Sequence, residues 1–183
     1  PYLSRGLGDV YKRQLLPQLL ERAGAGQTGG ITAICTVLVE GDDMNDPIAD
    51  TVRGIVDGHV VLSRDLASHG HYPAIDVLSS LSRTMPWTVP EAQLKAAATI
   101  RASLATWTEN HEIIRLGAYR RGADARVDQA ILLKPHIDTF LTQPMNSRVP
   151  LDETRKMMAA LCAPPRRKRA RSEGNSRAGT PQG

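Results

Sequence analysis

Length, composition and charge exclude more than they assign. The 183 residues, 41 % hydrophobic and 23 % charged, suit one ordinary domain or two small ones with a sizeable core, and with only 4 % aromatics that core must be packed by Leu, Ile, Val and Ala. No apolar run approaches the ~20 residues that span a bilayer, and residues 164–183, with six basic side chains against one acidic, carry +5 of a net +4, so the basic pI belongs to a tail rather than to the fold.

Residues 1–14, PYLSRGLGDVYKRQ, lack an initiator Met and any signal-peptide architecture. They resemble translated sequencing-adapter read-through and are expected to be a non-native, disordered leader. Leu15, Leu16, Leu19 and Leu20 share one helical face, and Gly24-Ala25-Gly26 ends that helix. Ile31 to Val39, rich in Ile, Val and Thr, is apolar on both faces, which predicts a strand buried inside a parallel sheet. It runs into the acidic Glu40-Gly41-Asp42-Asp43. Asp46 as N-cap and Pro47 in the first turn predict a helix over Ile48 to Val56, stopped by Asp57-Gly58. His59 to Ser63 reads as a second buried strand and Leu66 to Ser68 as a short helix. Helix, strand, helix, strand implies a parallel sheet with crossovers, an α/β fold.

After Arg83 the pattern changes. Trp87-Thr88-Val89-Pro90 acts as a linker, and residues 91–115 place Leu94, Ala97, Ala98, Ile100, Leu104 and Trp107 at helical spacing, continuing through Ile113, Ile114 and Leu116 to Gly117. A second helix over 124–142 turns Val127, Ile131, Ile137 and Leu141 inward, and Pro135 is expected to kink it. A third covers 151–162, and no strands are expected here. The expected organisation is the leader, an α/β part over 15–87, a helical part over 88–162 and a disordered basic tail over 163–183.

Several chemistries are absent from the sequence. A phosphate-cradling loop has the form GxxxxGK followed by Ser or Thr; the chain has none, and the Gly-rich run Gly24 to Gly30 lacks the Lys. No apolar strand ending in an Asp suited to a metal precedes Leu15. His59, His69, His71, His111 and His136 are scattered without ligand spacing, and Ser79, Ser80 and Ser82 support no triad. Cys35 and Cys162 form no framework and read as reduced, buried thiols. Glu40, Asp42 and Asp43 stand where ligands bind in parallel sheets, though capping and solubility explain them equally well; Arg64 is expected to hold that loop by a charge-assisted bond.

The motifs VEGDDMNDPIAD (39–50), DGHVVLSR (57–64), HYPAIDV (71–77) and LSR (81–83), continued by IIRLGAY (113–119) and FLTQP (140–144), resemble the catalytic ATPase of the bacterial type III export machinery. That family has a flagellar and an injectisome branch and is similar to the catalytic subunit of rotary ATP synthases. The resemblance covers residues 15–162. It implies the carboxyl-terminal part of a RecA-like P-loop NTPase sheet domain followed by a small all-α domain, with the phosphate loop and the Mg²⁺ ligands upstream, so that the chain alone is expected not to hydrolyse ATP.

The resemblance also implies roles. Tyr72 matches the tyrosine whose ring packs on adenine, a contact worth ~1–3 kcal/mol; from residue type alone it reads as a core tyrosine beside a proline. Met145, just after FLTQP, matches the second wall of the base slot, where the rotary subunit has Phe; a thioether lines a slot but does not stack as an aromatic ring does. Arg83 matches the arginine that reaches across the ring interface to the neighbour's γ-phosphate, worth about 10³–10⁵ in rate; by itself it reads as a surface arginine after a Ser-rich turn. The cofactors implied are ATP and Mg²⁺. The partners implied are a homohexamer, the export stalk protein, a peripheral regulator and chaperone–substrate complexes, with a cytoplasmic location peripheral to the inner-membrane export gate. The loop Gly117 to Gly122 carries Arg120 and Arg121 where the rotary subunit is acidic, which suits an acidic stalk partner or an ordinary solvated turn. The LGAY segment favours the flagellar branch. A non-catalytic ring or adaptor protein of the same fold is the alternative. The tail, without interleaved aromatics, implies no specific nucleic acid.

Overall fold

The computed structural model describes residues 15–39, 41 and 46–163. The leader 1–14, the acidic residues Glu40, Asp42 and Asp43, and the tail 164–183 lie outside the described residues.

Residues 15–20 form helix α1, as the leucine spacing predicts. The glycine-rich stretch that follows is a hairpin tip: β1 (Gly24–Ala25) pairs antiparallel with β2 (Gly30–Ile31), and the Gly26 amide donates to the Gly29 carbonyl at 2.6 Å. The strand expected over Ile31 to Val39 is extended structure only at its first residue. Residues 32–39 have no regular structure, and Ile34 is 95 % and Leu38 91 % exposed. A segment apolar on both faces becomes a strand only when neighbours cover both, and no strand pairs with 32–39 among the described residues. Cys35, expected buried, is exposed for the same reason.

Helix α2 (Pro47–Ile55) begins where its caps dictate. The Asp46 carboxylate accepts from the Ile48 amide at 2.8 Å and the Ala49 amide at 3.1 Å, and Pro47, which has no N–H to satisfy, opens the first turn. The helix buries Ala49 and Val52.

Strand β3 (Gly58–Leu62) alternates between exposed and half-buried residues, with Val60 and Leu62 outward, so it is one-sided rather than fully buried. Its partner is β4 (Ile75–Ser82), a strand the sequence reading did not anticipate, and the two are antiparallel. No parallel pairing occurs among the described residues. The connection explains this. Helix α3 (Arg64–Ser68) has five residues, about 7.5 Å. That is shorter than β3 itself, so it turns the chain round instead of carrying it back along the sheet. The Ser63 hydroxyl caps α3 by accepting from the Leu66 amide.

Helix α4 (Met85–Thr88) leads into α5 (Glu91–Arg115), α6 (Ala125–Leu141) and α7 (Leu151–Leu161), and α5 packs along both α6 and α7. The core of this helical part is Ala96, Ile100 and Ser103 against Val127, Ala130 and Ile137, the last only 1 % exposed. The buried stripe of α5 is rotated from the expected one: Ala96 is inside and Ala98 outside. Small residues at the crossing let α6 approach closely. The α6 helix runs through Pro135, which is exposed. Gly117 ends α5 with a left-handed φ of 70°, its amide bonding Ile114 O and the Ala118 amide bonding Ile113 O, the pairing of a Schellman stop.

Candidate nucleotide site

The loop carrying Tyr72 is set by the end of α3. Gly70 adopts φ 73°, its amide donates to Ala67 O, and the His71 amide donates to Leu66 O at 2.9 Å. This second Schellman stop turns the chain sharply and leaves Tyr72 on the surface, 55 % exposed, followed by a cis Tyr72–Pro73 peptide. The loop after α6 docks onto it. The Gln143 amide donates to the Tyr72 carbonyl at 2.9 Å, and Thr142 Oγ1 lies 3.3 Å from His71 Nδ1. A turn closed by the Ser147 amide on Pro144 O then presents Met145, 99 % exposed. Two loops some seventy residues apart in sequence are thus bonded through the main chain, and each carries an exposed, largely apolar side chain. Such side chains gain free energy when a flat apolar ligand covers them.

Arg83 is elsewhere. Its amide donates to Asp57 O at 2.8 Å, closing the end of the β3–β4 hairpin. Its guanidinium donates to Arg53 O at 3.0 Å and Gly54 O at 3.4 Å, the last carbonyls of α2. A cation there is favoured by the negative end of the helix dipole. Tyr72 lies beyond the Leu62–Ile75 end of the hairpin and Arg83 beyond the Gly58–Ser82 end. The four steps of β3 between those ends amount to about 13 Å, so one chain does not put the two residues in a single contact. The bond expected between Arg64 and the acidic loop falls among residues outside the description. A shallow depression over the β1–β2 turn, lined by Arg22, Gly24, Thr28 and Gly29, includes none of the three residues. Among the described residues no three His, Cys, Asp or Glu side chains gather as a metal site.

One cluster escaped the sequence reading. Between the pairs His59↔Leu81 and Val61↔Asp76 the ladder is irregular, and Val60 alone spans residues 77–80. Asp76 folds this bulge on itself. Its carboxylate accepts from the Leu78 amide at 2.9 Å, the Ser79 amide at 3.1 Å and the Ser79 hydroxyl at 2.6 Å. Arg101, on α5, donates to the carbonyls of Val77, Leu78 and Ser80. Burial pushes the Asp76 carboxyl pKa up, but the Ser79 hydroxyl, the two amides and the Arg101 charge outweigh it and hold the carboxyl below its ordinary value. The signal in the sequence was Asp76 three residues before Ser79, a pattern that forms side-chain-capped turns.

The loop between α5 and α6 is braced by its own residues. Tyr119 Oη lies 3.0 Å from Asp128 Oδ1 and 2.9 Å from Asp124 O, two acceptors for its one hydroxyl proton, and the Gly122 amide donates to Asp128 Oδ2. Burial and Asp128 raise the Tyr119 pKa, so the phenol stays a donor. Arg120 and Arg121 between them occupy the tip of this loop.

Residues 8–82 match the nucleotide-binding domain of the ATP synthase alpha/beta family, and residues 89–160 match the T3SS EscN ATPase C-terminal domain. The chain is 47 % identical over 148 residues to a flagellum-specific ATP synthase of Treponema pallidum (81 % of this chain, 33 % of the relative). It is 56 % identical over 128 residues to the SPI-2 type 3 secretion system ATPase of Salmonella typhimurium (70 % of this chain, 30 % of the relative). It therefore spans about a third of the length of these relatives. The fold superposes on the assembled ATPase EscN of enteropathogenic E. coli with a TM-score of 0.80 at 42 % identity (82 % of this chain, 37 % of that one), and with a TM-score of 0.74 on EscN in complex with its central stalk EscO (82 % and 35 %). The α/β fold class with a helical carboxyl-terminal part is that of these ATPases, and the chain belongs to the type III export ATPase family.

Proposed function

We propose that this chain supplies one face of a nucleotide site and one cross-subunit arginine to an ATPase that energises type III protein export, in the flagellar rather than the injectisome branch. The observation that supports the reading is the Gln143–Tyr72 main-chain bond, which ties the loop that carries Met145 to the loop that carries Tyr72, with both side chains exposed. The Tyr72 ring stacks on adenine, Met145 lines the opposite wall, and Arg83, about 13 Å or more away along the hairpin, serves the nucleotide of the next subunit in a homohexamer. Adenine is a flat ring of the kind that two exposed apolar side chains can cover. The triphosphate and Mg²⁺ have no cradle in this chain, whose sequence lacks GxxxxGK and Ser or Thr, so residues of other segments hold them and the 183-residue chain alone does not turn ATP over. Hydrolysis drives substrate unfolding and chaperone release. The stalk protein meets the Arg120–Arg121 tip, a peripheral regulator recruits the ring, and the assembly works in the cytoplasm beside the export gate. The stalk reading is supported by the solved complex of EscN with EscO.

A chimera tests this: residues 15–163 of this chain replace the segment they match in the Salmonella relative. Magnesium-dependent ATP hydrolysis by the chimera is expected, and Arg83→Ala should remove roughly 10³-fold or more of kcat while ATP still binds. An assembled chimera that binds ATP without hydrolysing it would instead identify a non-catalytic ring protein. Arg83→Ala turning over near the chimera's own rate would remove the arginine from its role.

A further inference from the structure

The connection between α5 and β4 through Arg101 plays no part in the chemistry proposed above. Yet it grips the only strand joining the Tyr72 loop to Arg83. A bulge that sets one residue of β3 against four of β4 has no ladder bonds of its own to hold it, and its carbonyls need partners from elsewhere. A single planar guanidinium meets three of them, those of Val77, Leu78 and Ser80, and Arg101 is itself only half-exposed. From the other side, Asp76 holds the Leu78 and Ser79 amides. Ser80 adds a bridge, its hydroxyl donating to Asp76 O and accepting from the Val61 amide at 3.0 Å. If the bulge gained or lost one residue, everything after it on β4 would slide by about 3.3 Å and exchange faces. The first charged side chain to move would be Arg83, which follows Ser82 directly.

We propose that Arg101 is a positioning residue for Arg83: by locking the bulge it fixes the register in which β4 delivers the cross-subunit arginine, and it ties that delivery to the helical part. The proposal rests on the nucleotide reading above. A lysine does not replace it, because an ammonium is a point donor and does not span three carbonyls as a fork does.

The test uses the same chimera carrying Arg101→Gln, Arg101→Lys or Asp76→Asn, with thermal midpoints measured alongside. Arg101→Gln is expected to lower kcat by about 10²-fold, since an ångström of misplacement suffices, with affinity for a fluorescent ATP analogue changed by less than about threefold. Arg101→Lys and Asp76→Asn should give the same split to a smaller degree. In this chain by itself, Arg101→Gln should raise hydrogen exchange at the Arg83 amide by about tenfold or more while the α6 amides keep theirs. Unchanged exchange at Arg83, or turnover and nucleotide affinity falling together with the folded fraction, would overturn the proposal. A chimera that does not hydrolyse ATP with Arg101 intact overturns the catalytic reading of Arg83, and this inference with it.

Discussion

The helical part and the α/β part were built from similarly apolar sequence, but they end in different states. Helices α5, α6 and α7 close on one another: Ile137, Val127, Ala130 and Ile100 are all at or below 4 % exposure. In the α/β part Ile34, Leu38, Val60 and Leu62 are 66–95 % exposed. A helix satisfies its own backbone and needs only a stripe of neighbours, whereas a strand needs hydrogen-bond partners from distant sequence before its side chains are covered. Apolar spacing therefore forecasts a buried stripe for helices better than for strands whose neighbours are not at hand, although Ile113, Leu116 and Leu132, on or at the ends of these helices, stay 49–75 % exposed.

The largest effect that sharpens this contrast is expected at Ile137. Ile137→Ala should cost about 2–5 kcal/mol of stability in thermal unfolding, whereas Ile34→Ala should stay within about 0.5 kcal/mol. Equal costs would mean that residues 32–39 are covered after all. An intermediate effect is expected at Gly58. A Cβ there would meet Leu81 O at 2.7 Å and Ser82 Cα at 3.2 Å. Gly58→Ala should cost roughly 1–3 kcal/mol, seen as faster exchange of the β3 and β4 amides with the α5–α7 amides unaltered. If the helical amides loosened equally, the two parts would form one cooperative unit and the contrast would fail. The smallest effect is a pH dependence confined to the bulge. Asp76 has a folded-state pKa below the ordinary 3.8. Its contribution is therefore complete above that ordinary value and is lost as pH falls through the lower folded one. Amide resonances of Leu78 and Ser79 should shift across that acid window, and Asp76→Asn should abolish the shift while the helical resonances stay put.

How much was legible in the sequence follows the same division. Asp46-Pro47 announced α2 because a cap and its helix are neighbours in sequence, and Gly117 announced the end of α5 for the same reason. The span of α6 was legible through its apolar spacing, although the rotation of the α5 stripe was not, since Ala96 and Ala98 are equally apolar and only the approach of α6 chooses between them. Strand β4 was missed because DVLSSLS, serine-rich and interrupted by a bulge, shows no alternation; what makes it a strand is β3, whose ladder partners on β4 lie from 13 residues (Leu62↔Ile75) to 24 residues (Gly58↔Ser82) further along the chain. The same non-locality hid Arg101, whose partners lie 21–24 residues away. The roles of Tyr72, Arg83 and Met145 are implied only by the resemblance; nothing in their spacing says that the loops of the first and last are bonded and that the second lies at the other end of the β3–β4 pair.

Helix α6 begins just after the arginine tip and ends at Thr142, whose neighbour Gln143 grips the Tyr72 loop. Its seventeen residues make a rod about 25 Å long. Tilting that rod at the tip would shift the loop after its far end, which is bonded to the Tyr72 carbonyl. One stiff element therefore joins the two ends of the helical part, and a displacement of the loop at its start would reach the loop that docks on Tyr72 at its end.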